Sequence, residues 1–221
     1  MTATAPSIAA LFDLDGVVFD TEPQYSAFWS KKGKQYHPEI TNFDQKIKGQ
    51  TLVQIFNTWF KNDEKLQHEL AESLINFEKN MEMNFIPGIE DFLHELHEQG
   101  IPTAVVTSSN RDKMRCVYRR HPRFKFLFDE ILTSERFTRS KPYPDCYLLG
   151  AAVFGLPAAQ CVTFEDSFNG LKAARAAGTK VVGLSTTNQA EQIAPLCDIV
   201  IPNFNNFNIR NLYTLLGINI K

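Results

Sequence analysis

Ile8-Ala9-Ala10-Leu11-Phe12-Asp13-Leu14-Asp15-Gly16 is the stretch on which the reading of this chain turns. An unbroken apolar run of this length reads as a buried strand. Two carboxylates follow at once. At the end of a buried strand they repel one another and are poorly solvated, so they need a cation or a proton to coexist. Asp-Gly is also a strong turn signal, which makes a pair of turn-forming aspartates the plain alternative. A calcium loop of the D-x-D-x-D-G kind fails at Val17 and Val18, where that loop needs a ligand and a glycine.

Outward from this stretch, further strand-like apolar runs occupy 101–107, 161–165, 180–184 and 198–201. Helical patterns lie between most of them, at 88–99, 110–120, 144–154, 169–177, 188–194 and 207–216, and Gly100 and Gly178 supply stop signals. Alternating strands and helices predict an α/β fold with a parallel sheet and helices on both faces. In such sheets ligands bind outside the carboxyl ends of the strands. Asp13-Leu14-Asp15, Thr107-Ser108-Ser109, Lys141-Pro142 and Glu165-Asp166-Ser167 are all expected at those ends.

The interval 19–86 breaks the alternation. It carries helical stretches at Tyr25–Lys32, Leu52–Lys61 and Glu64–Met83 with no convincing strand, and it is too long for an ordinary crossover. It reads as an all-helical cap domain inserted after the first strand. The expected division is a core of 1–18 and 87–221 with a cap of 19–86.

Asp166, at a second strand end, outweighs the turn reading of Asp13 and Asp15. Three carboxyl-bearing positions on one edge match the oxygen-rich site that Mg²⁺ prefers. Thr107 supplies a hydroxyl, and the N–H groups of Ser108 and Ser109 at a helix start can hold phosphate, although Ser109 also reads as a helix cap. Lys141, pinned beside prolines, places an ammonium that offsets charge on an acidic site.

Composition narrows the function classes. The chain has 221 residues, 43% of them apolar and 12% aromatic, with 18 Phe, which suits a packed core. A net charge of −2 and the absence of a long basic run argue against nucleic acid or an anionic membrane as partner. Cys116, Cys146, Cys161 and Cys197 form no C-x-x-C pair and read as buried apolar side chains in a reducing compartment. Residues 1–7 lack a positive n-region, and no stretch approaches a membrane span, so the expected location is cytoplasmic. A monomer is expected.

The set Asp13-Leu14-Asp15-Gly16-Val17, Thr107 after a strand, Lys141-Pro142, and Glu165-Asp166-Ser167 with Gly170 resembles the four signature motifs of the haloacid dehalogenase superfamily, in order and spacing. The likeness covers about 8–201 and is near the branch of β-phosphoglucomutase and small sugar-phosphate phosphatases. The resemblance implies a Rossmann-like three-layer core with a helical cap, and Mg²⁺ as cofactor. It implies Asp13 as nucleophile and Asp15 as general acid and then base. Thr107, Lys141 and the N–H of Ser108 would hold the phosphoryl group. Asp13, Asp15 (through its carbonyl) and Asp166 would ligate the metal, with Glu165 holding a metal-bound water. Gly49 and Gln50, in Lys46-Ile47-Lys48-Gly49-Gln50-Thr51, match a loop that contacts substrate.

The resemblance thus implies a Mg²⁺-dependent phosphatase of a small metabolite, with a sugar phosphate as the expected substrate. Its alternatives are a phosphoglucomutase-type mutase, a pyrophosphatase, or a phosphate-binding module without catalysis. Tyr25 and Leu52 stand where the mutase has a histidine and an arginine, which weakens the mutase reading. Asp15 needs a proton to give, yet an unperturbed Asp is only about 0.1% protonated at pH 7. Cap closure is expected to raise that fraction, with Thr21 as a hydrogen-bond partner. His94 and His97 are expected on a solvated helix face, and Phe56, Trp59 and Phe60 in the cap core.

Overall fold

A computed structural model describes residues 8–218. Strands β1 (Ala9–Phe12), β2 (Thr103–Val106), β3 (Glu130–Leu132), β4 (Cys161–Glu165), β5 (Lys180–Leu184) and β6 (Ile199–Ile201) form one parallel sheet in the order β3-β2-β1-β4-β5-β6. The chain moves outward from β1 to β3, crosses back to β4, and moves outward on the other side. That reversal opens a crevice between the ends of β1 and β4, the usual ligand position in open α/β sheets. Phe12 pairs with both Val105 and Phe164, so three strand ends are in register around it.

Strand alternation builds the two faces. Ala9 and Leu11 meet Cys146 and Ala151 of α7 (Asp145–Val153) and Leu171 of α8 (Phe168–Ala177). Ala10 and Phe12 point the other way, toward α5 (Ile89–Glu98), α6 (Arg111–Arg120) and α10 (Ile209–Leu216). Phe12 stacks on Phe164 with centroids 4.6 Å apart, and Phe92 meets Phe164 edge-on at 5.5 Å. Such pairs add roughly 0.5–1.5 kcal/mol each beyond area burial. They sit directly under the crevice and hold the ends of β1 and β4 together. The three-layer α/β core is as the alternation predicts. Strand β3 was not expected: Asp129 precedes it and Glu130 opens it, so only Ile131 and Leu132 remain of an apolar run.

Residues between β1 and α5 form α1 (Glu22–Tyr36), α2 (Phe43–Ile47), α3 (Leu52–Trp59) and α4 (Glu64–Asn80). These helices bury their own cluster, including Trp29, Phe43, Ile55, Phe60 and Leu70, with Phe56 and Trp59 packed against it. Thr51 begins α3 with a capping box to Gln54, a device worth about 1 kcal/mol. The five-residue α2 escaped the sequence reading. Chain exit and return run side by side: Ile86 N donates to Val18 O and Asp20 N to Asn84 O, both at 2.9 Å. No helix among the described residues is long and apolar enough to cross a membrane. The four cysteines are free thiols.

Candidate active site

Asp13 and Asp15 follow β1, Thr107 follows β2, Glu165 ends β4 and Asp166 follows it. Lys141 differs from expectation, because it enters from the loop between β3 and α7 and not from a strand end. Its ammonium is 1% exposed and donates to Asp13 Oδ1 at 2.7 Å, Glu165 Oε1 at 2.5 Å and Val106 O at 3.2 Å. A buried ammonium with three acceptors is fixed in direction. Burial favours the neutral amine, but the Asp13 and Glu165 carboxylates outweigh it and hold Lys141 above its usual range. It stays charged.

Glu165 is engaged on both oxygens. Lys141 and the Tyr147 hydroxyl (2.6 Å) donate to Oε1, while Asp166 N, Ser167 N and Ser167 Oγ donate to Oε2. A carboxylate so occupied has little left for a metal-bound water; its geometry is that of a residue orienting Lys141. Gly170 makes room for it, since a Cβ there would lie 1.8 Å from Glu165 Oε1. Gly170→Ala is therefore expected to displace Glu165 and Lys141 together and to lower kcat by about 10²-fold. Rate measurement with circular dichroism as folding control checks this.

Both carboxylate oxygens of Asp166 are buried with no hydrogen-bond partner among the described residues, although the residue's backbone carbonyl accepts from Asn188 Nδ2 at 2.8 Å. One oxygen each from Asp13, Glu165 and Asp166 lies within 4.8 Å of the others. Orphaned buried oxygens beside another carboxylate fit a hard divalent cation such as Mg²⁺. Burial pushes the Asp166 carboxyl well up, with Glu22, Glu165 and Asp13 adding to it. Burial also pushes Asp13 up to about 7, against the pull of Lys141.

These two shifts have a consequence for stability. A carboxyl raised in the folded state favours the unfolded chain as pH climbs from its ordinary 3.8 toward about 7. Metal-free protein should therefore lose stability across that window, and Mg²⁺ should restore it by replacing the protons. At a hundredfold excess over Kd, Mg²⁺ is expected to raise the melting temperature by about 5–10 °C at pH 8. The rise should be smaller at pH 5, and calorimetry at both values checks it.

Asp15 runs opposite to the expectation of a raised proton affinity. Burial alone would push its carboxyl up, but Lys113 Nζ at 3.0 Å, Thr21 Oγ at 2.5 Å and Ser109 Oγ at 3.0 Å outweigh it and hold Asp15 low. Lys113, on α6, is 1% exposed. It also contacts the Tyr25 hydroxyl, which donates to Glu78 Oε1 at 2.7 Å. A buried cation thus links Asp15 to helices α1 and α4.

Thr107 Oγ accepts from Ser109 N at 3.0 Å, which takes the Ser109 N–H away from a phosphate. Ser109 is not the helix cap either, because Asn110 caps α6 through Lys113 N. Thr107, Ser108 and Lys141 line the cleft, as do Gly49 and Gln50 from the helical insertion. Gly49 has φ +72, and a Cβ there would lie 2.9 Å from Ser167 Oγ, so this loop closes tightly on the core. Asn169 Nδ2 donates to Lys48 O at 2.9 Å beside it. His94 and His97 are exposed, as expected.

A family model described as haloacid dehalogenase-like hydrolase matches residues 10–184. The chain belongs to that family. Hexitol phosphatase A of Escherichia coli (strain K12) is 30% identical over 184 residues, covering 79% of this chain and 82% of that protein. A probable pseudouridine-5'-phosphatase of Drosophila melanogaster is 29% identical, covering 78% and 79%. The crystal structure of a β-phosphoglucomutase from Clostridium difficile superposes with a TM-score of 0.76 at 22% identity, over 95% of this chain and 96% of that one.

Around the signature positions of this haloacid dehalogenase-like hydrolase, sequence reading missed Lys113, Tyr147 and Glu22. Lys113 left a signal, because it shares a helix face with the apolar Cys116 and Val117. Tyr147 and Glu22 left none, since a tyrosine in an apolar helix and a glutamate in a first turn are ordinary.

Proposed function

We propose that this chain is a Mg²⁺-dependent phosphatase of small phosphate monoesters, sugar phosphates among them, working through an aspartyl phosphate at Asp13. The observation that carries the reading is the pairing of Asp13 with Lys141 beside the orphaned carboxylate of Asp166. Asp13, Asp166 and the Asp15 carbonyl would hold Mg²⁺, which when bound supplies positive charge to the transferring phosphoryl oxygens. Helices α1–α4 serve as the cap that shields this chemistry from water.

An Asp13 carboxylate oxygen attacks phosphorus, and the bond to the leaving oxygen breaks. Asp15 gives that oxygen its proton. Water then attacks phosphorus, loses a proton to Asp15, and phosphate departs with Asp13 regenerated. Lys113, Thr21 and Ser109 favour the ionised Asp15, the form that takes the proton from water. The proton gained there serves the next leaving group, so the cycle balances. Lys141 offsets charge on Asp13 and the phosphoryl group, Glu165 and Tyr147 orient Lys141, and Ser108 N–H and Thr107 hold phosphoryl oxygens.

The mutase alternative needs a site that grips a second phosphate. Leu52 lines the cleft and offers no donor there, and the Tyr25 hydroxyl is already engaged by Lys113 and Glu78. Steady release of inorganic phosphate from a panel of esters, abolished by chelating Mg²⁺, is the test. Pyrophosphate belongs in that panel. Isomerisation of glucose 1-phosphate in the presence of the bisphosphate, without net phosphate release, would favour the mutase.

A further inference from the structure

We propose that the cleft beyond the reacting phosphate selects leaving groups that carry no second anion. It fits uncharged or cationic alcohols that bear hydroxyl or amino donors and one apolar face. This rests on the phosphatase reading and names the substrate class of the same site. The cleft encloses about 220 Å³ between the core and helices α1–α4. Trp29, Ile55 and Leu74 give its cap wall an apolar face, and Asp44 and Glu78 give it acceptors.

Glu78 decides the polarity of that wall. It is 6% exposed, and its Oε1 accepts from Tyr25, while Oε2 accepts from no described residue. That oxygen is open to the cleft, where a donor on a bound alcohol takes the place of solvent. The Asp44 side chain likewise has no hydrogen bond to any described residue, and it stands at the start of α2 on the same cleft. A hydroxyl or amino group on the leaving alcohol satisfies either one.

No cation among the described residues lining the cleft is free to meet a second anion. Lys141 is held by Asp13 and Glu165. Lys48 pairs with Glu22 at 3.4 Å, both side chains being about four-fifths buried. Lys113 lies behind the wall, between Asp15 and Tyr25. No arginine lines the cleft among those residues, and Lys46 is exposed away from it. A second anion would have to draw Lys48 from Glu22, leaving that buried carboxylate unpaired close to Asp166. Otherwise it would face Asp44 and Glu78 as a like charge.

Three open-chain esters of one carbon framework isolate the charge: glucitol 6-phosphate, 2-amino-2-deoxyglucitol 6-phosphate and 6-phosphogluconate. Calorimetric binding to the Asp13→Asn protein with Mg²⁺ should show the first two bound and the gluconate ester at least ~10-fold weaker. Asp44→Lys in the same background should narrow that gap several-fold. Equal or tighter binding of the gluconate ester, binding of none of the three, or an unchanged gap in Asp44→Lys overturns the proposal. The phosphatase reading is tested apart from it, by hydrolysis of p-nitrophenyl phosphate with the wild-type protein.

Discussion

Asp13→Asn should stop turnover, lowering kcat by roughly 10⁴-fold or more, the scale on which loss of a covalent nucleophile is felt. The amide matches the carboxylate in shape, so the Lys141 contact at 2.7 Å and the packing of Phe12 beneath it have no steric reason to change. What it lacks is a charged oxygen able to bond to phosphorus. The folded protein should not suffer. Asp13 is buried beside Glu165 and Asp166, and the neutral amide removes one partner in their repulsion. Metal-free Asp13→Asn should therefore melt no lower than wild type, which separates lost chemistry from lost structure. A residual rate within tenfold of wild type would show that another group attacks.

Asp15→Asn carries the second large effect, and its form is more informative than its size. With an alkyl phosphate the leaving oxygen needs a proton, so kcat should fall about 10²–10⁴-fold, as for loss of a general acid. With p-nitrophenyl phosphate the leaving group departs as a stable anion, so the first step should proceed. The second step still lacks the base that takes a proton from water. Rapid mixing should give one equivalent of nitrophenolate and then a stall. A lag-free linear trace at the reduced rate would instead place Asp15 in the first step alone. Because Lys113, Thr21 and Ser109 hold Asp15 low, the base role is the one its surroundings favour at rest.

The reach of the sequence followed the range of the interactions. Strand ends were legible because carboxylates and hydroxyls directly follow apolar runs, and Asp13, Thr107, Glu165 and Asp166 stand at the ends of β1, β2 and β4. Strand β3 and helix α2 were not, because Glu130 cuts short the apolar run of the first and five residues do not complete a helical pattern in the second. The burial of Asp15 could be foreseen, but the direction of its proton affinity could not. Thr21, six residues on, was within reach of the sequence, but Lys113 and Ser109, 98 and 94 residues away, complete that direction, and no local pattern announces that they converge. Glu165 shows the same limit. The resemblance implied a residue holding a metal-bound water, while the five donors around it come from the β3–α7 loop, α7 and its own turn.

Covalent capture of phosphorus at residue 13 is tested most directly by trapping. Enzyme turning over an ester with Mg²⁺ is quenched in acid, reduced with borohydride, digested and read by peptide mass spectrometry. An acyl phosphate on Asp13 is reduced to the alcohol, so the account predicts homoserine at position 13 and at no other carboxylate. Reduction at another aspartate, or an unmodified Asp13 under conditions where phosphate is being released, would contradict it.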